Sequence, residues 1–237
     1  MGGFANNAPI VTDGLVFYVD AGNGNSYPGS GTTWSDLVGG NDGTFEPAAG
    51  PTYDSGNGGS IVFDGTDDYV NFSNSNLDFN AKDFSVLCWF STTDTTMRLI
   101  QTRNTGGSGQ KSGWQISVSF NPNWSNTSFE DTNGNHMSFS SVTDLSSLDG
   151  QFHLVSLTWD TSLGQGKLYI DNALKGTLTN TNMIGSNINS TDDLQIGRAN
   201  SGTQYLNGKI SNSLIYYKTL SSDEITQNYN ALKNRFV

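Results

Sequence analysis

Apolar side chains recur at every second residue along most of this chain, in short runs closed by Gly, Asn or Asp. Leu15-Val16-Phe17-Tyr18-Val19, Ser60-Ile61-Val62-Phe63, Tyr69-Val70-Asn71-Phe72 and Phe84-Ser85-Val86-Leu87-Cys88-Trp89-Phe90 show the habit in the first half. Met97 to Thr102, Trp114 to Phe120, His136 to Ser140, His153 to Trp159, Lys167 to Ile170, Leu194 to Ile196 and Lys209 to Tyr217 continue it. A period of two puts alternate side chains on opposite faces of a strand, so these runs predict eleven to thirteen strands. No helical pattern separates them, which selects an antiparallel sandwich over a parallel sheet with crossover helices.

Gly, Asn, Ser and Thr make up nearly half of the 237 residues, whereas charged residues are only 14%. That balance excludes helical bundles, coiled coils and charge-rich disordered tails. The 13 Phe, 9 Tyr and 5 Trp still supply enough apolar area for one sizeable core. A net charge of −11, with 11 basic residues, leaves no basic stripe for a phosphate backbone, so nucleic acid is not an expected partner and polyanions are disfavoured. No apolar run reaches the length of a membrane span, and the first residues have neither the basic flank nor the apolar stretch of a signal peptide. The single cysteine, Cys88, excludes an intrachain disulfide.

One stretch reads as a helix. Ser221-Ser222-Asp223-Glu224 forms a capping-box pattern, and Ile225, Tyr229, Leu232 and Phe236 then share a face, which predicts a helix over 221–234. Asp171-Asn172 between two apolar runs predicts a tight hairpin, because both residues tolerate the left-handed conformation such a turn needs. Residues 22–60 are Gly-rich and read as one long loop poor in strands.

Taken in order, several segments resemble the laminin-G-like, concanavalin-A-like jelly-roll family. They are Gly14 to Gly22, Thr32-Thr33-Trp34-Ser35-Asp36-Leu37, Phe63-Asp64-Gly65-Thr66-Asp67-Asp68-Tyr69-Val70, Phe152 to Asp160, Lys167 to Asp171, Ile196-Gly197-Arg198 and Leu206 to Tyr216. The resemblance implies an all-β, two-sheet antiparallel jelly roll with one short C-terminal helix, occupying 14–237 behind an N-terminal arm at 1–13. Asp20-Ala21-Gly22, Ser26-Tyr27-Pro28-Gly29 and Gln227 to Lys233 further resemble the form found in virion proteins of tailed bacteriophages.

This fold carries hydrolases as well as lectins, so catalysis has to be tested on residues. Retaining glycosidases need two carboxyls about 5–5.5 Å apart, and the relatives that catalyse place glutamates alternately on one strand. Only Glu46, Glu130 and Glu224 are present, none so arranged, and no enzyme activity is expected. His136 and His153 stand without a second ligand or triad partner nearby, and both read as hydrogen-bonded structural imidazoles. Cys88, between Leu87 and Trp89, reads as a buried small hydrophobe.

No cofactor is expected. Calcium is the one ion the composition brings into question, through Asp20, Asp36, Asp42, Asp64, Asp67 and Asp68 in loops. The resemblance implies an Asp on the last long strand as a calcium ligand, and that place reads Ile210-Ser211-Asn212-Ser213 here. For sugar, an exposed aromatic platform with amides beside it is wanted, and Asn121, Asn123, Trp124 and Asn126 form the candidate, against the plainer reading that Trp124 packs under its loop.

The expectation is therefore a non-enzymatic phage virion protein, either capsid decoration or tail-associated, contacting other virion proteins and host surface glycans in many copies. The alternative is a secreted or cell-surface bacterial carbohydrate-binding module. Gly2 to Asn7 and Asn234-Arg235-Phe236-Val237 are the segments expected to reach neighbouring chains.

Overall fold

The alternating runs become strands, and the computed structural model describes residues 8–72, 77–103, 111–118, 123–124, 126–199, 202 and 204–236. In chain order the strands are β1 (Leu15–Asp20), β2 (Thr33–Trp34), β3 (Gly43–Glu46), β4 (Thr52–Asp54), β5 (Ser60–Asp64), β6 (Tyr69–Phe72), β7 (Phe84–Thr92) and β8 (Met97–Gln101). They continue as β9 (Gly113–Val118), β10 (Ser128–Glu130), β11 (His136–Ser138), β12 (His153–Asp160), β13 (Gln165–Ile170), β14 (Ala173–Thr179), β15 (Leu194–Ile196) and β16 (Asn207–Tyr216), before α1 (Ser222–Leu232). Every pairing is antiparallel. One sheet runs β14-β13-β12-β7-β16-β5-β4, with β1 beside the second half of β16, and the other runs β11-β10-β9-β8-β15-β6-β3-β2.

The two sheets share one core. Phe17, Phe63, Phe84, Val86, Phe90, Leu157 and Trp159 of the first sheet meet Phe45, Val70, Phe72, Trp114, Ile116, Phe129, Leu194 and Ile196 of the second, all fully or almost fully buried. Strand β7 is apolar on both faces because both are covered. Phe84, Val86, Cys88 and Phe90 enter that core, while Leu87 and Trp89 point outward beneath α1.

Helix α1 forms as the capping box dictates. Ser221 Oγ accepts from Glu224 N at 3.3 Å, and Glu224 accepts in return from Ser221 N at 2.9 Å. Ile225 and Leu232 lie against Trp89, Leu154, Leu214 and Tyr216, and Tyr229 stacks on Trp89 with ring centres 5.5 Å apart. Each such buried side chain stabilises by about 1.5–3 kcal/mol. Residues 8–13, expected as an arm, dock on this helix: Val11 is buried, and its N–H donates to Asn228 Oδ1 at 2.8 Å. No helix among the described residues is long and apolar enough to cross a membrane.

Two expectations need correction. Residues 22–60 are not a strand-poor loop, since β2, β3 and β4 lie inside them and each pairs with a neighbouring strand. They are only two to four residues long, too short for alternation to register. The C-terminal residues, expected to reach other chains, are engaged within this one: Arg235 bonds to Asp20, and the Phe236 ring lies 4.5 Å from Trp89 and 4.6 Å from Phe152. Residues 2–7 and Val237 fall outside the described residues. The hairpin at Asp171-Asn172 is as expected, with φ of +48° and +62°.

Candidate functional site

Helix α1 covers part of the first sheet's outer face; the second sheet turns polar side chains to its outer side, and Gln101, Gln115, Ser117 and Ser128 among them are buried. On β9, Trp114, Ile116 and Val118 enter the core, so Gln115 and Ser117 leave the sheet on the other side. On β15, Leu194 and Ile196 are core and Gln195 is not. The register then aligns these outward residues across the strands. Thr44 on β3 is opposite Asn71 on β6, Asn71 opposite Gln195, Gln195 opposite Gln101 on β8, Gln101 opposite Gln115, and Gln115 opposite Ser128 on β10.

Part of this row is bonded internally. Gln195 Nε2 donates to Asn71 Oδ1 at 3.0 Å, Asn71 Nδ2 to Asp193 Oδ2 at 2.8 Å, and Gln115 Nε2 to Ser128 Oγ at 2.9 Å. In the middle, Gln101 is fully buried, and neither its Oε1 nor its Nε2 has a hydrogen-bond partner; Gln115 Oε1 is likewise without one. Buried amides are almost always paired, and leaving a donor or acceptor unmade costs about 1–3 kcal/mol. Next to Gln195 a hollow of about 340 Å³ is lined by Thr191, Asp192, Asp193 and Gln195.

Charge flanks the row on both sides along the strands. On one side Arg98 lies opposite Ser117, and Arg198 places its guanidinium 3.4 Å from the centre of the Tyr69 ring. On the other, Arg103 pairs with Glu130, and His136 lies opposite Glu130 in the strand register. Burial, with the nearby Arg103 charge, holds His136 below the ordinary imidazole range.

The structure does not bring the sequence-derived sugar site to the surface. Trp124 has no exposed area; its ring packs edge-on to Phe90 and its Nε1 donates to Asp144 O at 3.1 Å. The indole therefore offers no platform. Asn123 and Asn126 remain partly exposed around it, Asn123 Nδ2 donating to Ser140 O at 3.4 Å, and Asn121 lies outside the described residues.

The aspartates raised for calcium mostly hold turns. Asp36 accepts from the backbone N–H of Tyr18, Val38, Gly39 and Asn41, and Asp42 from that of Asp36. Asp20 is bonded to Tyr18, Gly22 and Arg235. Asp64, Asp67 and Asp68 form the one acidic group among the described residues with three carboxylate oxygens within 4.8 Å of one another, beside a hollow of about 370 Å³. Within that group Asp68 Oδ2 accepts from Asp64 N at 3.0 Å and Asp64 Oδ1 from Thr66 N at 2.8 Å, so two of the three also fix the turn. Calcium takes six to eight oxygens, and the carboxylates here offer only part of such a shell.

A family model described as the Concanavalin A-like lectin/glucanases superfamily, of laminin-G type, matches residues 64–226, more than half of the chain. The chain belongs to that superfamily. No curated protein matches this lectin/glucanase-type chain in sequence. Among solved structures it is similar to the receptor-binding domain of botulinum neurotoxin D, with a TM-score of 0.66 and 17% identity over 92% of this chain and 52% of that one. The binding domain of Paraclostridial Mosquitocidal Protein 1 gives 0.63 and 18% over 92% and 52%. The Trypanosoma rangeli sialidase gives 0.63 and 16% over 98% and 35%. The chain thus spans about half of each toxin domain and about a third of the sialidase, and at these identities the likeness is one of fold.

The amide row escaped sequence reading for a specific reason. Ile100-Gln101, Trp114-Gln115-Ile116 and Leu194-Gln195-Ile196 each show a glutamine among apolar residues, which marks an outward side chain on a strand. That the three glutamines are neighbours depends on the order β9-β8-β15, which no local pattern carries.

Proposed function

We propose that this chain is a non-catalytic glycan-recognition module that binds sugar across the outer face of its second sheet. The observation that carries the reading is Gln101, whose amide is buried in the middle of the row with both polar atoms unpartnered. Sugar hydroxyls donate and accept at the same oxygen, and an amide offers both complements, so a saccharide seated in the hollow beside Asn71 and Gln195 would meet amides there, and on uncovering Gln101 and Gln115, which are 0% and 1% exposed, would satisfy the groups the protein leaves open.

The absence of catalysis is part of the proposal and has geometric support. Glu46 on β3 and Glu130 on β10 are five strand spacings apart, about 24 Å at roughly 4.8 Å per strand, far beyond the roughly 5–9.5 Å of a glycosidase pair. Glu224 caps α1, away from that face.

For the setting we propose a bacteriophage virion, as capsid decoration or a tail-associated protein, on the resemblance of the segments near both chain ends. Mass spectrometry of purified particles tests this. Its absence from them would favour the alternative, a secreted or cell-surface bacterial carbohydrate-binding module. The binding itself is tested on a glycan array, where the wild-type chain should retain at least one oligosaccharide that Gln101→Leu, still folded, does not. Equal retention by the two would reject the site.

A further inference from the structure

Alternation on β6 sends Val70 and Phe72 into the core, so Tyr69 and Asn71 leave the strand on the outer side of the second sheet, both half-buried. Among the described residues, Tyr69 is the one Phe, Tyr or Trp that a strand of this sheet turns outward; Trp34, Phe45, Phe72, Trp114 and Phe129 all point into the core. A phenol ring beside two side-chain amides has the composition of a sugar platform, an apolar plate with polar atoms at its rim. That plate is covered. The chain leaves β15 through Gly197, whose φ is +94°, and Arg198 lays its guanidinium 3.4 Å from the centre of the Tyr69 ring.

Arg198 Nε also donates to Gln195 Oε1 at 3.2 Å, at the long end of the range for such bonds. Gln195 Nε2 donates in turn to Asn71 Oδ1, and Asn71 Nδ2 to Asp193 Oδ2. A guanidinium only donates and a carboxylate only accepts, so the two ends of this series fix the orientation of both amides. The Gln195 carbonyl oxygen is thereby the atom turned toward Arg198. Arg198 is half-exposed, with solvent to move into, and a cation–π contact at a partly exposed site is weak. When the guanidinium leaves, it uncovers a ring face and an amide acceptor together.

We propose that Tyr69 is the platform on which this face takes a sugar ring and that Arg198 is its cover, displaced as the ring stacks and a sugar hydroxyl donates to Gln195 Oε1. The inference rests on the glycan-binding reading above and adds the platform and the ligand class. Stacking on a phenol needs a pyranose with an unbroken face of axial C–H bonds, as β-glucosides and β-galactosides have. The hollow at Gln195 is also lined by Asp192 and Asp193, and the chain carries a net charge of −11, both of which disfavour a sugar acid. The fitting ligand is therefore a neutral oligosaccharide of that kind.

The test uses the full chain at pH 7 and titration calorimetry with cellotetraose and with lactose. At least one of them should bind, and Tyr69→Ala should weaken it about tenfold or more, while Tyr69→Phe, which keeps the ring, retains most of the affinity. Arg198→Ala should tighten binding about two- to fivefold, because the platform no longer has to be cleared of a weak cation–π cover. If Tyr69→Ala fails to fold, Tyr69→Leu, which keeps apolar bulk without a π face, is read in the same way. Equal affinity of wild type and Tyr69→Ala overturns the platform, and no gain in Arg198→Ala overturns the cover; either result leaves glycan binding standing. Binding of neither probe overturns the neutral-sugar assignment, and a blank glycan array beside it overturns the glycan-binding reading as well.

Discussion

Arg235 Nη1 lies 2.9 Å from Asp20 Oδ2, although 215 residues separate them. The guanidinium also donates through Nη2 to Gly58 O at 2.8 Å and to Ser211 Oγ at 3.2 Å, so one side chain ties the C-terminal turn to β1, to the turn before β5 and to β16. Gly22 is required beside it, since a Cβ there would fall 1.8 Å from Gly58 O. The Asp20 carboxylate is only 8% exposed, so losing its cation leaves a buried charge.

Arg235→Ala should therefore cost about 2–3 kcal/mol, the lower end for a broken buried pair because Arg235 itself keeps some solvent contact. Arg235→Lys should recover less than half, since an ammonium cannot reach three acceptors in one plane. Urea unfolding midpoints measure both. A loss below about 0.5 kcal/mol, the size of an ordinary surface change, would show that the clasp is incidental.

His153 gives a pH dependence of known sign. Its Nδ1 is 2.6 Å from Asp171 Oδ2 and its Nε2 3.1 Å from Asp149 Oδ1, and only the imidazolium can donate to both. The Asp171 hydrogen bond leads in raising its pKa above the ordinary value. A raised folded-state pKa gives stability that is complete below about pH 6.5 and fades as pH rises through the folded value. The wild type should lose melting temperature between pH 6 and pH 8.5 more steeply than His153→Gln. Parallel profiles would contradict the assignment.

Cys88 is buried, and burial pushes its thiol up to about 12, Ser213 opposing only weakly. Thiolate is the reactive form. A disulfide reagent at pH 8 should leave the native protein unlabelled over hours and take up one equivalent promptly in guanidinium. Rapid labelling of the native state would mean that β7 opens locally.

The Asp64, Asp67 and Asp68 turn should respond little to calcium. Burial first, then the charges of Asp64 and Asp67, hold Asp68 above the ordinary carboxylate range, while the Asp64 N–H opposes the shift. An ion at a hundredfold excess over Kd would add about 2.7 kcal/mol, or roughly 5–10 °C for a chain of this length. The expected difference between millimolar calcium and EDTA is below about 2 °C, well short of that shift. A rise of several degrees on adding calcium would make the turn a metal site.

Strand positions, the hairpin at Asp171-Asn172 and the capping box at Ser221 and Glu224 were legible because each rests on contacts within a few residues. The short strands β2 to β4 were not, since a run such as Gly43 to Glu46 holds one inward apolar side chain, Phe45, and so shows no period. Trp124 was misplaced for the opposite reason: its local surroundings are polar, and Phe90, which it packs against, is 34 residues away in sequence. The candidate site was the least legible part. Each of Gln101, Gln115 and Gln195 looks like an ordinary outward residue, and only the strand order makes them one surface.

The side-chain amide resonances of Asn71, Gln101, Gln115 and Gln195 give the most direct test of that surface. In the 15N-labelled protein titrated with an array-positive oligosaccharide, these four should shift together, while Asn228, buried on α1 against the other sheet, stays still. Shifts confined to Asn123 and Asn126, or to the Asp64–Asp68 turn, with the amide row unmoved, would place recognition elsewhere and contradict the account.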